Sequence, residues 1–94
     1  MVGFGIADDL QPMQWSDPAG GQISRSPVIA LHGANRGWIA HTFLFEGASG
    51  ETLGILTLPP WRQGDLVLAD LPAGTYRLHD PAVPGSELVL NVAG

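Results

Sequence analysis

Glycine and proline interrupt this chain so often that a helix of ordinary length has no place in it. Thirteen glycines and eight prolines are spread over 94 residues. Each interior glycine costs a helix about 1 kcal/mol and each proline about 3 kcal/mol, and proline also removes a backbone donor. Between the breaks lie short apolar runs rich in strand formers. They predict strands at 2–6, 22–24, 28–32, 39–46, 52–58, 64–69, 75–79 and 87–92, with turns at Gly33-Ala34-Asn35-Arg36-Gly37 and at 47–50. Seven or eight short strands separated by turn signals predict an all-β Greek-key β-sandwich. Residues 1–94 make one domain, in which 10–21, with Pro12, Trp15, Pro18 and Gly20-Gly21, is expected as a long loop.

Alternation supports the strand assignment. Tyr76 and Leu78 share one face while Arg77 and His79 share the other, as a period of two requires. Leu88, Leu90 and Val92 oppose Val89 and Asn91, and His41, Phe43 and Phe45 oppose Thr42 and Leu44. No internal repeat or low-complexity tract is present.

Charge narrows the function classes. The four cations are all arginine (Arg25, Arg36, Arg62, Arg77) against nine acids, a net charge of −5. Binding to nucleic-acid phosphates or to anionic lipid needs clustered positive charge, which this chain lacks. The absence of cysteine excludes disulfides, thiolate metal sites and cysteine nucleophiles. The amino terminus has no basic segment before its apolar run, so no signal peptide is read in the chain; an extracytoplasmic location would require a leader already removed. No apolar run approaches the ~20 residues of a membrane span.

Two segments carry a resemblance. Ala34-Asn35-Arg36-Gly37-Trp38-Ile39-Ala40-His41-Thr42-Phe43 resembles the first ligand segment of cupredoxins of the amicyanin/pseudoazurin type: an Asn, a short loop, then a His entering a strand. Leu71-Pro72-Ala73-Gly74-Thr75-Tyr76-Arg77-Leu78-His79-Asp80 is similar to the strand that brings that family's copper-binding Cys, four positions after the Tyr. Asp80 stands at that place, 39 positions after His41, a spacing similar to that of compact members. The resemblance spans 27–92 and implies a cupredoxin-like sandwich. It also implies a metal pole ringed by an apolar docking patch, which here would be Trp38, Ile39, Val83 and Pro84.

The departures decide what the resemblance can mean. A type 1 copper site takes a Cys thiolate, two His and a weak axial ligand. The chain has Asp80 in the Cys place and Ser86 where the second His follows Pro84-Gly85, and its only methionines, Met1 and Met13, come too early. One ligand of four survives, so a blue copper relay is excluded. A nitrogen/oxygen site for one copper or zinc ion, with His41 as anchor and His79 and Asp80 beside it, is the metal-binding alternative. It requires the strand to end before Asp80, because neighbours on a strand point to opposite faces.

Bland readings stand beside these. His41 is read as a loop-proximal imidazole bonded to backbone, His32 and His79 as surface positions, and Asp80 before Pro81 as a turn-starting residue that accepts from nearby backbone. No catalytic residue is assigned: His41 or His79 with Asp80 and Ser86 or Ser49 makes a triad only on paper, without a nucleophile elbow. Trp61, after Pro59-Pro60, is expected to plug an end of the sandwich, and Trp38 to lie on its rim. A competing resemblance is to the prealbumin-like modules of bacterial adhesins, which share the corner at 65–76. Their Lys–Asn cross-link cannot form in a chain without lysine.

The leading expectation is therefore a small non-enzymatic binding or assembly module, with a protein partner or self-association and no blue copper. A His41-anchored copper or zinc protein is the first alternative. A small catalyst enclosing an apolar substrate in the sandwich mouth, near Phe43, Phe45 or Trp15, is the second.

Overall fold

The computed structural model describes residues 2–16 and 20–94. Among them the chain forms nine strands and no helix: β1 (Val2–Ile6), β2 (Gln14–Trp15), β3 (Gln22–Ser24), β4 (Val28–Asn35), β5 (His41–Glu46), β6 (Thr52–Leu58), β7 (Gln63–Ala69), β8 (Gly74–His79) and β9 (Glu87–Ala93). They build two sheets, ordered β2-β1-β4-β7 and β3-β9-β8-β5-β6. β1 runs parallel to β4 and β3 parallel to β9, and the other ladders are antiparallel. No helix among the described residues is long and apolar enough to cross a membrane.

The core lies where the alternating inner faces meet. Phe4 and Leu31 of the four-stranded sheet face Phe43, Phe45, Leu78 and Leu90 of the other, all essentially inaccessible to water. Phe4 meets Phe43 edge to face across the interface, with ring centroids 5.2 Å apart. Each such side chain contributes about 1.5–3 kcal/mol through removal of apolar surface from water. The outward positions of the same strands are mixed, with Thr42 and Arg77 beside Val28, Leu44 and Val89.

Three expectations need correction. The segment 10–21 carries β2, which among the described residues pairs with β1 alone, with Trp15 opposite Phe4 and Gln14 opposite Gly5. Two residues have no periodicity to read, so only the pairing reveals the strand; residues 17–19 of that segment lie outside the described residues. The turn expected at 33–37 is still strand as far as Asn35, bonded on both sides to β1 and β7. Gly33 is there for close packing: a Cβ on it would stand 2.7 Å from Phe4 Cζ. Finally β5 begins at His41 rather than at 39, because the preceding loop is drawn over the end of the sandwich.

The corner entering β8 is built as its sequence suggests. Tyr76 lies on the inner face, and its hydroxyl donates to the Pro72 carbonyl at 2.5 Å, closing the corner. Gly74 takes φ 154°, a conformation that L side chains rarely adopt. The strand that follows therefore enters with Tyr76, Leu78 and Asp80 pointing inward.

Candidate functional site

Strand directions assemble one pole of the sandwich from distant segments. Because β1 and β4 are parallel, with Ile6 opposite Asn35, the chain leaving β1 at 7–11 lies beside the chain leaving β4 at 36–40. β5 starts at this end, and its antiparallel neighbour β8 finishes there. Asp9, Trp38, His41 and Asp80 are thus brought together.

His41 is the centre of the pole. It is inward-facing and 2 % exposed. Its Nδ1 is 2.6 Å from Asp80 Oδ2, and its Nε2 is 2.7 Å from Asp9 Oδ1. Burial alone would push the imidazole pKa down, but the hydrogen bonds to Asp9 and Asp80, with their charges, outweigh it and hold the ring above its ordinary value. The ring is clamped between two carboxylates, one at each nitrogen, an arrangement that favours its protonated form. The partners of His41 are therefore carboxylates, not the backbone groups expected from the sequence.

Each carboxylate has a second task. Asp80 Oδ1 accepts from Ala82 N–H at 3.0 Å, the turn-starting contact expected before Pro81. Asp9 Oδ2 accepts from Trp38 N–H at 2.8 Å, and Oδ1 lies 3.4 Å from Ile39 N. The Trp38 amide first, and then the His41 ring, hold the Asp9 carboxyl below its usual value. Asp9 was not recognised in the sequence. Nothing local marks it, and only the parallel β1–β4 pairing brings it near His41.

Asn35 fastens the same loop from beneath. It is buried; its Nδ2 donates to the carbonyls of Ile39 at 2.9 Å and Leu58 at 3.0 Å, and its Oδ1 accepts from Gly37 N–H at 2.8 Å. Ser86, also buried, accepts at Oγ from Met13 N–H at 2.9 Å, and its carbonyl accepts from Asp80 N–H.

The candidate ligands His41, His79 and Asp80 do not form one set. Asp80 continues the inward alternation of β8, so His79 points to the outer face, where its Nε2 is 2.8 Å from Glu46 Oε1, a charge contact without hydrogen-bond geometry. Among the described residues no group of three or more His, Cys, Asp or Glu side chains could hold a metal ion. Asp9 and Asp80 sit on opposite nitrogens of one ring and so share no point of convergence. His32 lies on the outer face of β4, bridged by Asp65 at 2.6 Å and Gln63 at 2.9 Å. The paper triads are also absent: Ser49 bonds Glu51, and neither Ser49 nor Ser86 is bonded to His41.

The rim of the pole is apolar and wet. Trp38 is 76 % exposed and Trp61 58 % exposed, and they meet edge to face at 5.6 Å. Ile39, next to Trp38 in sequence, and Leu10, next to Asp9, are exposed, Val83 is half-buried and Pro84 is exposed. Trp61 is thus no plug, contrary to the expectation: at φ 61° it turns back toward Trp38 instead of into the core. Trp15 does pack inward, edge to face with Phe4, and borders a surface depression of about 680 Å³. Phe43 and Phe45 have no exposed surface, so of the three aromatic residues expected near the sandwich mouth Trp15 alone borders that depression.

No protein-family model and no curated protein matches the chain at a significant level. Solved structures do. Reduced auracyanin from Roseiflexus castenholzii superimposes with a TM-score of 0.71 at 12% identity, over 98% of this chain and 95% of that one. A purple cupredoxin from Nitrosopumilus maritimus gives 0.65 at 13%, over 99% and 100%. An amicyanin variant carrying Cu(I) gives 0.59 at 22%, over 98% and 81%. The chain therefore has the cupredoxin fold.

Proposed function

We propose that this chain is a non-enzymatic docking module, a cupredoxin-fold scaffold whose pole is closed by an ion-pair triad and whose rim meets a protein partner. The observation that carries this reading is the double use of Asp9. One oxygen completes the Asp80–His41–Asp9 triad and the other holds the Trp38 amide, so the group that fills the pole also presents the tryptophan.

The donor set does not fit copper in the manner of the fold's copper-bearing relatives. There is no thiolate, Ser86 is engaged by Met13, and each His41 nitrogen faces a carboxylate within 2.7 Å. A metal would have to displace one of those partners and leave a buried charge unpaired.

The rim, by contrast, bears the marks of a contact surface. Tryptophan is enriched at interface hot spots, where truncation costs 2 kcal/mol or more. Trp61 holds a left-handed backbone, which costs about 1–3 kcal/mol and persists only where the surroundings impose it. The resemblance adds Ile39, Val83 and Pro84 to this patch, and Leu10, exposed next to Asp9, is a further apolar residue of the loop that Asp9 ties to Trp38.

Affinity capture from the native source with wild-type chain and with Trp38→Ala, Trp61→Ala and Val83→Asp tests the reading. A partner retained by wild type is then purified and titrated. Each Trp→Ala is expected to weaken binding by about 30-fold. A partner that binds all three folded variants as well as wild type would remove the rim from consideration.

A further inference from the structure

The two sheets leave four edges, and they are not equivalent. β2 and β3, with two and three residues, are too short to template another strand. β7 carries the exposed charge of Asp65 in mid-strand. β6 is seven residues long, Thr-Leu-Gly-Ile-Leu-Thr-Leu, with no charge and no proline, and Leu53 and Ile55 are 41 % and 59 % exposed. Its one irregularity is a bulge, since the register with β5 shifts between Phe45 and Glu46, leaving Leu53 unpaired. The bulge shortens the regular stretch to 54–58 but puts no charge into it.

We infer that β6 is a self-association edge, on which a second copy of this chain pairs antiparallel through its own β6 and joins the two five-stranded sheets into one. The occupant follows from the symmetry of the segment. A two-fold axis at Leu56 sets Gly54 against Leu58, and Ile55 against Thr57 twice on the outer face, where β-branched cross-strand pairs are favourable. A neutral strand brings no like charges together when it meets its own image. The flanks are complementary: Glu51 precedes β6 and Trp61-Arg62 follow it, so the acidic end of each copy approaches the basic end of the other. Arg62 is exposed and makes no ion pair among the described residues, and is therefore available to that contact.

Sedimentation equilibrium of the full chain up to about 1 mM, the range in which weak pairs are seen, tests the inference. Wild type is expected to show a reversible monomer–dimer equilibrium. Ile55→Lys and Thr57→Lys, both at exposed positions, are each expected to weaken it by at least about tenfold with circular dichroism unchanged. Arg62→Glu weakens the dimer, and Glu51→Arg added to it restores the dimer. Trp38→Ala leaves the dimer intact, which separates this edge from the docking rim. A wild-type chain monomeric throughout, or a dimer indifferent to both lysine variants, overturns the proposal. So does a dimer that Trp38→Ala abolishes and Ile55→Lys does not, because the interface is then the pole.

Discussion

His41 and Asp80 meet as a buried ion pair at 2.6 Å, at the two places where the resemblance to cupredoxins expects a metal ligand and a thiolate. Both side chains are 1 % exposed, so neither charge has water to fall back on. Removing Asp80 leaves Nδ1 of His41 without its buried acceptor and only Asp9 to face the ring, and removing His41 leaves the Asp80 carboxylate buried without a cation. Asp80→Asn is expected to destabilise the fold by about 3 kcal/mol in denaturant unfolding, whereas His41→Leu with Asp80→Leu, which removes both charges, costs less. Equal losses in the two variants would mean that the pair is not clamped as described.

Acid and base should erode stability from opposite ends. The His41 pKa is raised above its ordinary 6.5, so its contribution is complete below that value and is lost as pH rises through the raised pKa. The Asp9 pKa is lowered from 3.8, so its contribution is complete above that value and is lost as pH falls through the lowered pKa. Stability is highest between the two. Denaturant midpoints at about pH 5 and about pH 9 check the alkaline decline. His32, raised by Asp65 and then Gln63, shifts in the same sense at the surface, so the decline must survive His32→Gln and shrink in His41→Gln.

Calorimetric titration with Cu(II) and with Zn(II) is expected to give no saturable binding that depends on His41. Saturable heat abolished by His41→Ala would reinstate the metal reading. In the converse direction, Asp80→Cys with Ser86→His supplies a thiolate and a second imidazole beside His41, and intense thiolate-to-copper absorption after Cu(II) addition would show that the pole keeps its ligand positions.

The Asn35 side chain joins four backbone groups of two segments, those of Gly37 and Ile39 in one and of Leu58 and Pro59 in the other. Asn35→Ala should cost about 1–3 kcal/mol by leaving buried carbonyls unpaired. Asn35→Asp should cost more, because a carboxylate oxygen replaces the donor that faces the Ile39 and Leu58 carbonyls. Unfolding followed by tryptophan fluorescence, with Trp38 in the loop that Asn35 holds, reads both effects.

Tyr76→Phe keeps the ring stacked against Phe45 at 5.5 Å and removes only the hydroxyl on Pro72. The expected loss is about 1 kcal/mol. A larger loss would show that the corner organises more than its own hydrogen bond.

What the sequence disclosed and what it concealed divide along physical lines. The inward face His41, Phe43, Phe45 and the corner ending in Tyr76 follow from period and turn chemistry, which are local. So does the inward turn of Asp80, once Tyr76 and Leu78 are placed inside. β2 and the clamp by Asp9 depend on which strands lie side by side, and no window of neighbouring residues contains that. Gly33 misled in an instructive way: glycine reads as a turn, yet the space was needed for Phe4. Trp61 misled because two prolines before an aromatic residue suggest a plug, while the left-handed backbone at Trp61 sends the ring outward.

The pole draws on Asp9, the loop before His41, Trp61 and the segment from Asp80 to Ser86, which together span most of the chain. Contacts so widely separated are costly to close and form late. The surface is therefore a mark of completion: during synthesis the whole pole cannot be assembled until residue 86 has emerged and met Met13 near the start of the chain. On the docking reading proposed above, a partner that reads it is spared from engaging unfinished copies.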